Sequence, residues 1–285
     1  MYQVVFAVND KYIILLSIAI KTLLEKTKNP LILNVIYSHL SFKNIFYLRR
    51  LSSSFNTEIN FHKIESSQFI GLPEKSHLTI EAYYRLAIPS IIKAEKVLYL
   101  DCDVLIKSDL THLFSKNLKK FALAAVIDPA FQPIKKLRMK PKSTYFNSGV
   151  MLLNLKYWRD EEISKKVLKY LRDNPKKITY ADQCALNAII NGNYLALNKK
   201  YNFQSGHFDA LAPNKPYQNP LIVHFTGAYK PTHYLCKHPF KNEFLRQLSQ
   251  TPFMLKINLI NYVRKFVSYT GTYPLFNKMR NIFVD

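Results

Sequence analysis

The sequence predicts an α/β fold with a mostly parallel sheet that has helices on both faces. Short apolar runs of strand length alternate with longer segments of helical pattern through most of the 285 residues, which is typical of β-α-β units. Two acidic residues, Asp101 and Asp103, directly follow one of the apolar runs. Because ligands of such sheets bind beyond the carboxyl ends of the strands, the acids indicate a ligand site.

The first hundred residues contain four predicted strands and three predicted helices. Asn9 and Asp10 follow the first strand, where they are expected to form a turn or a helix cap. Pro89 is expected to kink or end the third helix, because proline disrupts a helix interior. The strands are expected at 4–8, 31–37, 58–64 and 97–100, and the helices at 12–26, 42–53 and 79–91.

The same alternation continues in the second part of the chain. Strands are expected at 121–127 and 150–155, and helices at 161–174 and 182–192. Asn9–Asp10 and the acid pair both follow strands, so we expect the two segments to line one cleft.

The acid pair interrupts the otherwise apolar run 96–106. Residues i and i+2 of a strand point the same way, so a bend after the strand lets both carboxylates reach one hard cation. A divalent metal with few carboxylate ligands keeps open positions that substrate phosphates fill. The alternative is a strand end with two solvated or helix-capping acids, and the pair alone leaves both interpretations open.

The composition gives a globular but strongly basic protein. The chain is 48% hydrophobic, which argues against general disorder. It has 41 Lys and Arg against 19 Asp and Glu, a formal charge of +22. Such a surface attracts anions, namely nucleic acid, anionic lipid, or nucleotides and phosphorylated substrates. Composition does not choose among them.

Neither the cysteines nor the apolar segments indicate a secreted or membrane-spanning chain. The three cysteines lie far apart without metal-binding spacing, which fits a reducing compartment. Residues 1–7 resemble a strand rather than a signal peptide. The apolar stretch 13–20 ends at Lys21, far short of a membrane span.

The pattern changes near the C-terminus, and we expect a main domain over 1–248 and a basic, aromatic segment over 249–285. Aromatic residues alternate there with cationic ones, and polar residues recur at helical spacing in its first part. A basic amphipathic helix of this kind suits an anionic membrane surface. The alternative is a terminal helix packed on the domain. The cationic residues are Lys256, Arg264, Lys265, Lys278 and Arg280.

Several segments together resemble glycosyltransferase family 8, in particular the bacterial α-galactosyl- and α-glucosyltransferases of lipopolysaccharide or lipooligosaccharide outer core. The resemblance spans roughly residues 3–245 and rests on the order and spacing of the motifs. It implies a GT-A fold, a Rossmann-like mixed and mostly parallel sheet flanked by helices, here with a basic helical C-terminal extension. The motifs lie at 5–10, 84–86, 96–103, 127–128, 145–150, 154–158, 181–183 and 223–231.

The resemblance implies a UDP-sugar donor and Mn²⁺, with Mg²⁺ as the alternative ion. Asp101, Asp103 and His224 would be the metal ligands. Without the resemblance, His224 in the apolar stretch 221–225 is more typical of a core histidine. Imidazole is a suitable ligand for Mn²⁺.

The resemblance also implies the residues that bind the donor. Gly227 and Lys230 would contact the diphosphate, although the same residues suit an ordinary turn before Pro231. Asn9 stands where many relatives have an aspartate that contacts uracil. The full implied set is Ala7, Asn9, Tyr12, Arg85, Asp101, Asp103, Asp128, Asn147, Ser148, Gly149, Asp182, Gln183, His224, Gly227 and Lys230.

Asp182 and Gln183 are the implied catalytic residues. The counterpart of Gln183 in the family lies on the β face of the donor sugar. An amide is a poor nucleophile, so we expect retention of configuration through front-face attack by the acceptor. Asp182–Gln183 alone is equally typical of an acidic helix N-terminus.

The expected function is transfer of a hexose, galactose rather than glucose, to a glycan acceptor in surface-glycan synthesis. The expected location is the cytoplasm of a bacterium, peripheral on the inner face of its membrane, with no nucleic-acid partner. A self-glucosylating, glycogenin-like enzyme remains open because 19 tyrosines are available. A basic protein that binds nucleic acid or anionic lipid is the non-enzymatic alternative. A nucleotidyltransferase is disfavoured. It would need a glycine-rich phosphate-binding loop near the N-terminus, and no glycine precedes Gly71.

Overall fold

The computed structural model describes residues 1–73, 80–204, 207, 219–226, 228–254, 257–258, 260–262 and 264. The chain divides into two compact units, Met1–His224 and Phe225–Asp285. The expected boundary at 248/249 stays a prediction.

The first unit contains a seven-stranded sheet and a three-stranded sheet among its described residues. The large sheet has the order β3-β2-β1-β4-β7-β6-β8 and the small one β5-β10-β9. The strands are β1 Tyr2–Ala7, β2 Leu31–Tyr37, β3 Glu58–Lys63, β4 Lys96–Leu100, β5 Val104–Ile106, β6 Leu123–Ile127, β7 Phe146–Asn154, β8 Tyr194–Leu197, β9 Phe203–Gln204 and β10 Ile222–His224.

The large sheet is mostly parallel, as the alternating pattern predicts. Only the pairs that β7 makes with β4 and β6 are antiparallel, whereas the four other pairs are parallel. Because β7 runs opposite to β4, the first residues of β7 lie beside the last residues of β4. The Asp101 backbone N–H donates to the Gly149 carbonyl at 2.8 Å. This reversal places residues 147–149 beside the acid pair.

Helices cover the sheet, and most bounds agree with the sequence pattern. The predicted helix over 79–91 is a 3₁₀ helix over Ile80–Ala87 followed by one α-helical turn, and Thr79 lies outside the described residues. Pro89 occupies the first turn of that α-helix, where its missing N–H has no intrahelical partner to lose. The α-helices are α1 Ile13–Lys26, α2 Phe42–Ser53, α3 Ile88–Ile91, α4 Thr111–Phe114, α5 Leu155–Asp160, α6 Ile163–Asp173, α7 Ala181–Ile190 and α8 Lys241–Leu248.

The core of the first unit lies on both faces of β4 and β7. Eight of the nine β7 residues are buried, and so are eight residues of α7. The indole of Trp158 is buried and donates to the Ala122 carbonyl at 2.9 Å. Burial of this kind fixes the strand ends that carry the polar residues of the site. No described helix combines the length and the hydropathy that a membrane crossing requires.

The second unit contains α8 and its own aromatic cluster. The ring of Phe225 packs on those of His238 and Phe244, with centroid distances of 4.4 and 5.5 Å. The Lys230 ammonium donates to the Phe225 carbonyl at 2.8 Å, and the Asn261 amide donates to the Thr232 carbonyl.

Candidate active site

Asp101, Asp103 and His224 converge at the carboxyl end of β4. The chain turns at 101–103 before it enters β5, and the buried Cys102 thiol contacts the Ala7 carbonyl at 3.1 Å. β5 pairs with β10 in an antiparallel register that sets His224 opposite Val104. The bend predicted after β4 is therefore present, and a second sheet brings the histidine to it.

The three side chains could bind one metal ion. One ligand atom from each lies within 4.8 Å of the other two. The His224 Nε2 atom is 3.2 Å from Asp103 Oδ1 and 3.6 Å from Asp101 Oδ2. Two carboxylates and an imidazole form a donor set suited to Mn²⁺, and the carboxylates also suit Mg²⁺.

Arg85 connects these acids to a third carboxylate. Its Nη2 atom is 3.2 Å from Asp101 Oδ1, and its Nε atom is 3.0 Å from Asp182 Oδ2. The guanidinium also donates to the Ser148 carbonyl at 2.6 Å and lies over the Tyr99 ring at 4.5 Å. Burial lowers the pKa of Arg85, but Asp101 and Asp182 outweigh burial and raise it. Arg85 is thus a permanent cation that offsets the charge of the buried Asp182 and the half-buried Asp101.

Asp182 is a buried carboxylate with spare hydrogen-bonding capacity. The Arg85 Nε–H donates to the Ala82 carbonyl, and Asp182 Oδ2 accepts no hydrogen bond from the described residues despite its ion contact. Burial raises the pKa of Asp182 to about 6, and Arg85 offsets part of that effect. Ala181, directly before it, has a φ of 33°, a strained value of the kind found at functional sites.

Gln183 has both ends of its amide in use. Its Oε1 atom accepts from the Ser148 N–H at 3.0 Å, and its Nε2 atom donates to Tyr145 Oη and Asp128 Oδ2 at 3.2 and 3.4 Å. Asp128 Oδ1 accepts the backbone N–H groups of the two residues at 130 and 131. Gln183 therefore connects the start of α7 to both ends of the loop between β6 and β7.

Two further polar residues contact Asp101 and His224, although they are not among the predicted site residues. The Tyr99 hydroxyl donates to Asp101 Oδ1 at 2.8 Å. Asn202 is fully buried, and its Oδ1 atom is 2.9 Å from the Nδ1 atom of His224. An asparagine between two aromatic residues, at 201 and 203, is the sequence signal that points to a buried, satisfied amide.

The other predicted site residues are distributed over both units. Ala7 and Asn9 lie at the carboxyl end of β1, as expected, and Asn9 Oδ1 accepts from the Lys11 N–H as a helix cap. Tyr12, which ends that 3₁₀ turn, is half-buried. Lys230 belongs to the second unit, and Gly227 lies outside the described residues.

Residues 3–236 match the sequence profile described as Glycosyl transferase family 8. General stress protein A of Bacillus subtilis is 31% identical over 220 residues, covering 72% of this chain and 77% of that protein. The lipopolysaccharide 1,2-glucosyltransferase of Escherichia coli is 29% identical, covering 81% and 73%. The lipopolysaccharide 1,3-galactosyltransferase of Salmonella typhimurium is 29% identical, covering 71% and 64%.

Solved structures give the same result. The galactosyltransferase LgtC in complex with donor and acceptor sugar analogues superimposes with a TM-score of 0.77 and 27% identity, covering 88% of this chain and 96% of LgtC. An active-site mutant of LgtC gives a TM-score of 0.80, also at 27% identity, covering 87% and 95%.

Proposed function

The chain belongs to glycosyltransferase family 8 and has the GT-A fold, and from this premise we propose that it transfers a hexose from a UDP-sugar to a glycan acceptor. The proposal rests above all on the cluster of Asp101, Asp103 and His224 at the carboxyl end of β4. A nucleotide-sugar site needs positive charge at the diphosphate and hydrogen-bonding groups at the sugar. The ion that the cluster would hold supplies the charge, and Asn147, Asp182 and Gln183 carry the hydrogen-bonding groups.

Mn²⁺ is the proposed ion, with Mg²⁺ as the alternative. The inclusion of an imidazole favours Mn²⁺, because Mg²⁺ prefers oxygen ligands alone. When bound, the ion would offset the negative charge that develops on the departing diphosphate. Lys230 and Gly227, which follow His224 in the sequence, are proposed to contact the same diphosphate. Ala7, Asn9 and Tyr12 are proposed to contact the uracil base.

The donor sugar is proposed to lie between the metal ligands and the start of α7. Asn147, Ser148, Gly149 and Asp128 would line it together with Asp182 and Gln183. Asp182 Oδ2 is a buried acceptor without a donor among the described residues, which suits a sugar hydroxyl. Desolvated acceptors of this kind favour the ligand that supplies the missing hydrogen bond.

Transfer with retention is proposed to occur by front-face attack. A double displacement needs a nucleophile below the sugar, and the amide of Gln183 is already hydrogen-bonded at both ends. Asp182 is fixed by its ion contact with Arg85. The leaving phosphate would then take the acceptor proton. A covalent glycosyl-enzyme trapped at either residue and identified by mass spectrometry would refute this route.

Galactose is the proposed sugar, ahead of glucose. LgtC, a galactosyltransferase, is similar over nearly its whole length. The glucosyl- and galactosyltransferases of lipopolysaccharide synthesis, however, are equally similar at 29% identity. These two relatives support an acceptor in a surface glycan such as lipopolysaccharide or lipooligosaccharide. The basic segment 249–285 is proposed to bring the enzyme to the cytoplasmic face of the membrane, where such acceptors are assembled.

Release of UDP from a panel of UDP-sugars, with Mn²⁺ or with chelator, tests the proposal. Release from UDP-galactose that requires the metal is the expected result, and release from UDP-glucose alone would change the sugar. Release that persists in chelator would contradict the metal site. If no donor is hydrolysed and calorimetry detects no UDP binding, the proposal is wrong and the non-enzymatic alternative is favoured. Glucose found on a tyrosine by mass spectrometry would indicate the glycogenin-like alternative.

A further inference from the structure

An unbroken series of buried hydrogen bonds runs from His224 to the backbone of β7. His224 Nδ1 lies 2.9 Å from Asn202 Oδ1, and Asn202 Nδ2 lies 2.9 Å from Asn147 Oδ1. Asn147 Oδ1 also accepts the Gly149 backbone N–H at 3.0 Å. Asn202 is 0% exposed and His224 4%, so water does not compete for these contacts. We call this series the amide relay.

The donor and the acceptor of every hydrogen bond in the relay can be assigned by starting from the backbone N–H of Gly149. The Gly149 N–H can only donate, so the Asn147 atom that faces it must be the oxygen. The Asn202 atom next to that oxygen must then be the NH₂ group. The other Asn202 atom is therefore an acceptor, and His224 Nδ1 must carry a hydrogen.

Each end of the relay faces a different part of the proposed site. At the histidine end, a hydrogen on Nδ1 leaves Nε2 as the ligand atom, and Nε2 is the atom that faces Asp101 and Asp103. At the other end, Asn147 Oδ1 already accepts two hydrogen bonds, and Asn147 Nδ2 donates to no described residue. Asn147 is thereby oriented to offer a donor to a ligand.

We propose that Asn202 is a positioning residue that selects the metal-binding tautomer of His224 and, through the same amide, the orientation of Asn147. This rests on the proposed function, because it assigns one residue to both the metal and the sugar side of that site. Partners on the second ring nitrogen of a ligating histidine typically change metal affinity by about 10- to 100-fold. Asn202 differs from such partners because it also contacts Asn147, which is proposed to bind the sugar.

Three substitutions separate the two ends of the relay. N202L removes both contacts at similar volume. N202D keeps an oxygen for His224 Nδ1 but places an oxygen against Asn147 Oδ1, where a donor is needed. N147D keeps the acceptor for Gly149 and Asn202 but removes the outward NH₂ group. The matched control is N34L, because Asn34 is also buried and its Oδ1 atom is 2.9 Å from a histidine, His62, on the edge strand.

The first measurement is calorimetric titration of the full chain with Mn²⁺. N202L should lose affinity by about 10- to 100-fold, whereas N202D, N147D and N34L should stay within about threefold of the unsubstituted chain. N202D and N147D should instead show a raised KM or a lowered kcat for the UDP-sugar. If Asn202 has a purely structural role, N202D should lose as much Mn²⁺ affinity as N202L does, and that result would overturn the proposal. Normal Mn²⁺ affinity in N202L would overturn it as well.

A second measurement does not depend on turnover. ¹⁵N NMR of the metal-free chain, at a pH where imidazole is neutral, reports which ring nitrogen of His224 carries the hydrogen. It should be Nδ1 in the unsubstituted chain and in N202D. In N202L the hydrogen should move towards Nε2. In the unsubstituted chain, a hydrogen on His224 Nε2 would overturn the proposal even if UDP-sugar transfer is confirmed. A hydrogen on His224 Nδ1 would support the proposal even if transfer is not found.

Discussion

A methyl group on Gly149 would lie 2.1 Å from Cε1 of His224, and 2.7 Å from Asp101 Oδ2. The backbone at this position has no freedom to withdraw, because its carbonyl accepts from the Asp101 N–H and its own N–H donates to Asn147 Oδ1. The absence of a side chain at position 149 is therefore a condition for Asp101 and His224 to lie as close together as they do.

G149A should abolish Mn²⁺ binding, because the added methyl group displaces two of the three ligands. Overpacking of this kind also costs about 1–3 kcal/mol of stability. Calorimetry with Mn²⁺ and chemical denaturation measure the two effects. G71A is the control, since Gly71 has a φ of 77° but a methyl group there would have no described atom within 4 Å. It should lose a little stability and keep the metal. If G149A binds Mn²⁺ as tightly as the unsubstituted chain, the close approach of Gly149 to His224 does not limit metal binding, and the prediction is wrong.

D103A should reduce UDP release by at least about 100-fold, as expected when a group that stabilises developing charge is lost. The carboxylate is 3.2 Å from His224 Nε2, so its removal leaves two protein ligands. Initial rates with UDP-galactose over a series of Mn²⁺ concentrations measure the effect. D109A is the control, because Asp109 caps an exposed turn through Thr111. Unchanged Mn²⁺-dependent turnover in D103A would refute the site assignment.

The sequence predicts the framework of the site better than its polar interior. The bounds of β2 and α2 coincide with the sequence pattern. β2 buries five of its seven residues and therefore stands out as a nearly continuous apolar run, whereas α2 buries Leu48 and Ser52 on one face. β7 begins at Phe146 rather than at the predicted 150. Asn147, Ser148 and Gly149 have the composition of a loop. They continue the strand because Phe146 pairs with Ile127 before them and Val150 pairs with Leu100 after them.

The small sheet and the amide relay could not be predicted from the sequence. β5, β9 and β10 are two or three residues long, too short to show periodicity. Their pairing joins segments about 120 residues apart in sequence, at Val104 and His224. The proposed role of Asn202 depends on the pairing of β9 with β10, which brings the residues next to Phe203 beside His224. His224 itself is indicated only by family resemblance, because an apolar stretch around a histidine is typical of any core.

The segment 249–285 should bind anionic membranes through charge. Near a membrane surface each Lys or Arg contributes about 1 kcal/mol. Replacing Lys265, Lys278 and Arg280 with glutamine should therefore weaken binding to phosphatidylserine vesicles by roughly 100-fold at low salt. Sedimentation with vesicles measures the partition, while UDP release without acceptor should be unchanged.

The matched control for this segment removes the same charge elsewhere. Lys165, Lys166 and Lys169 are exposed on α6 and pair with acidic neighbours. Their replacement with glutamine should leave vesicle binding nearly unchanged. Equal losses in the two triple variants would indicate a general charge effect and would remove the special role of the segment.

The raised pKa of Asp182 predicts a pH dependence of stability. Burial raises the pKa from 3.8 to about 6 in the folded chain, so the folded state binds a proton more tightly than the unfolded state does. The contribution of this group to stability is therefore fully present below about pH 4 and is lost as the pH rises through about 6. Above that pH the ionised carboxylate costs on the order of 2–3 kcal/mol.

D182N removes this cost, because asparagine is neutral at every pH. Compared with the unsubstituted chain, the variant should have equal stability near pH 4 and higher stability at pH 7, with the difference appearing between these values. Urea unfolding at a series of pH values measures it. The same variant should lose transfer activity, since a carboxylate that faces the proposed sugar is replaced. A constant stability difference from pH 4 to pH 7 would show that Arg85 keeps Asp182 ionised throughout. In that case the ion contact with Arg85 stabilises Asp182 Oδ2, and this oxygen does not need a donor from a ligand.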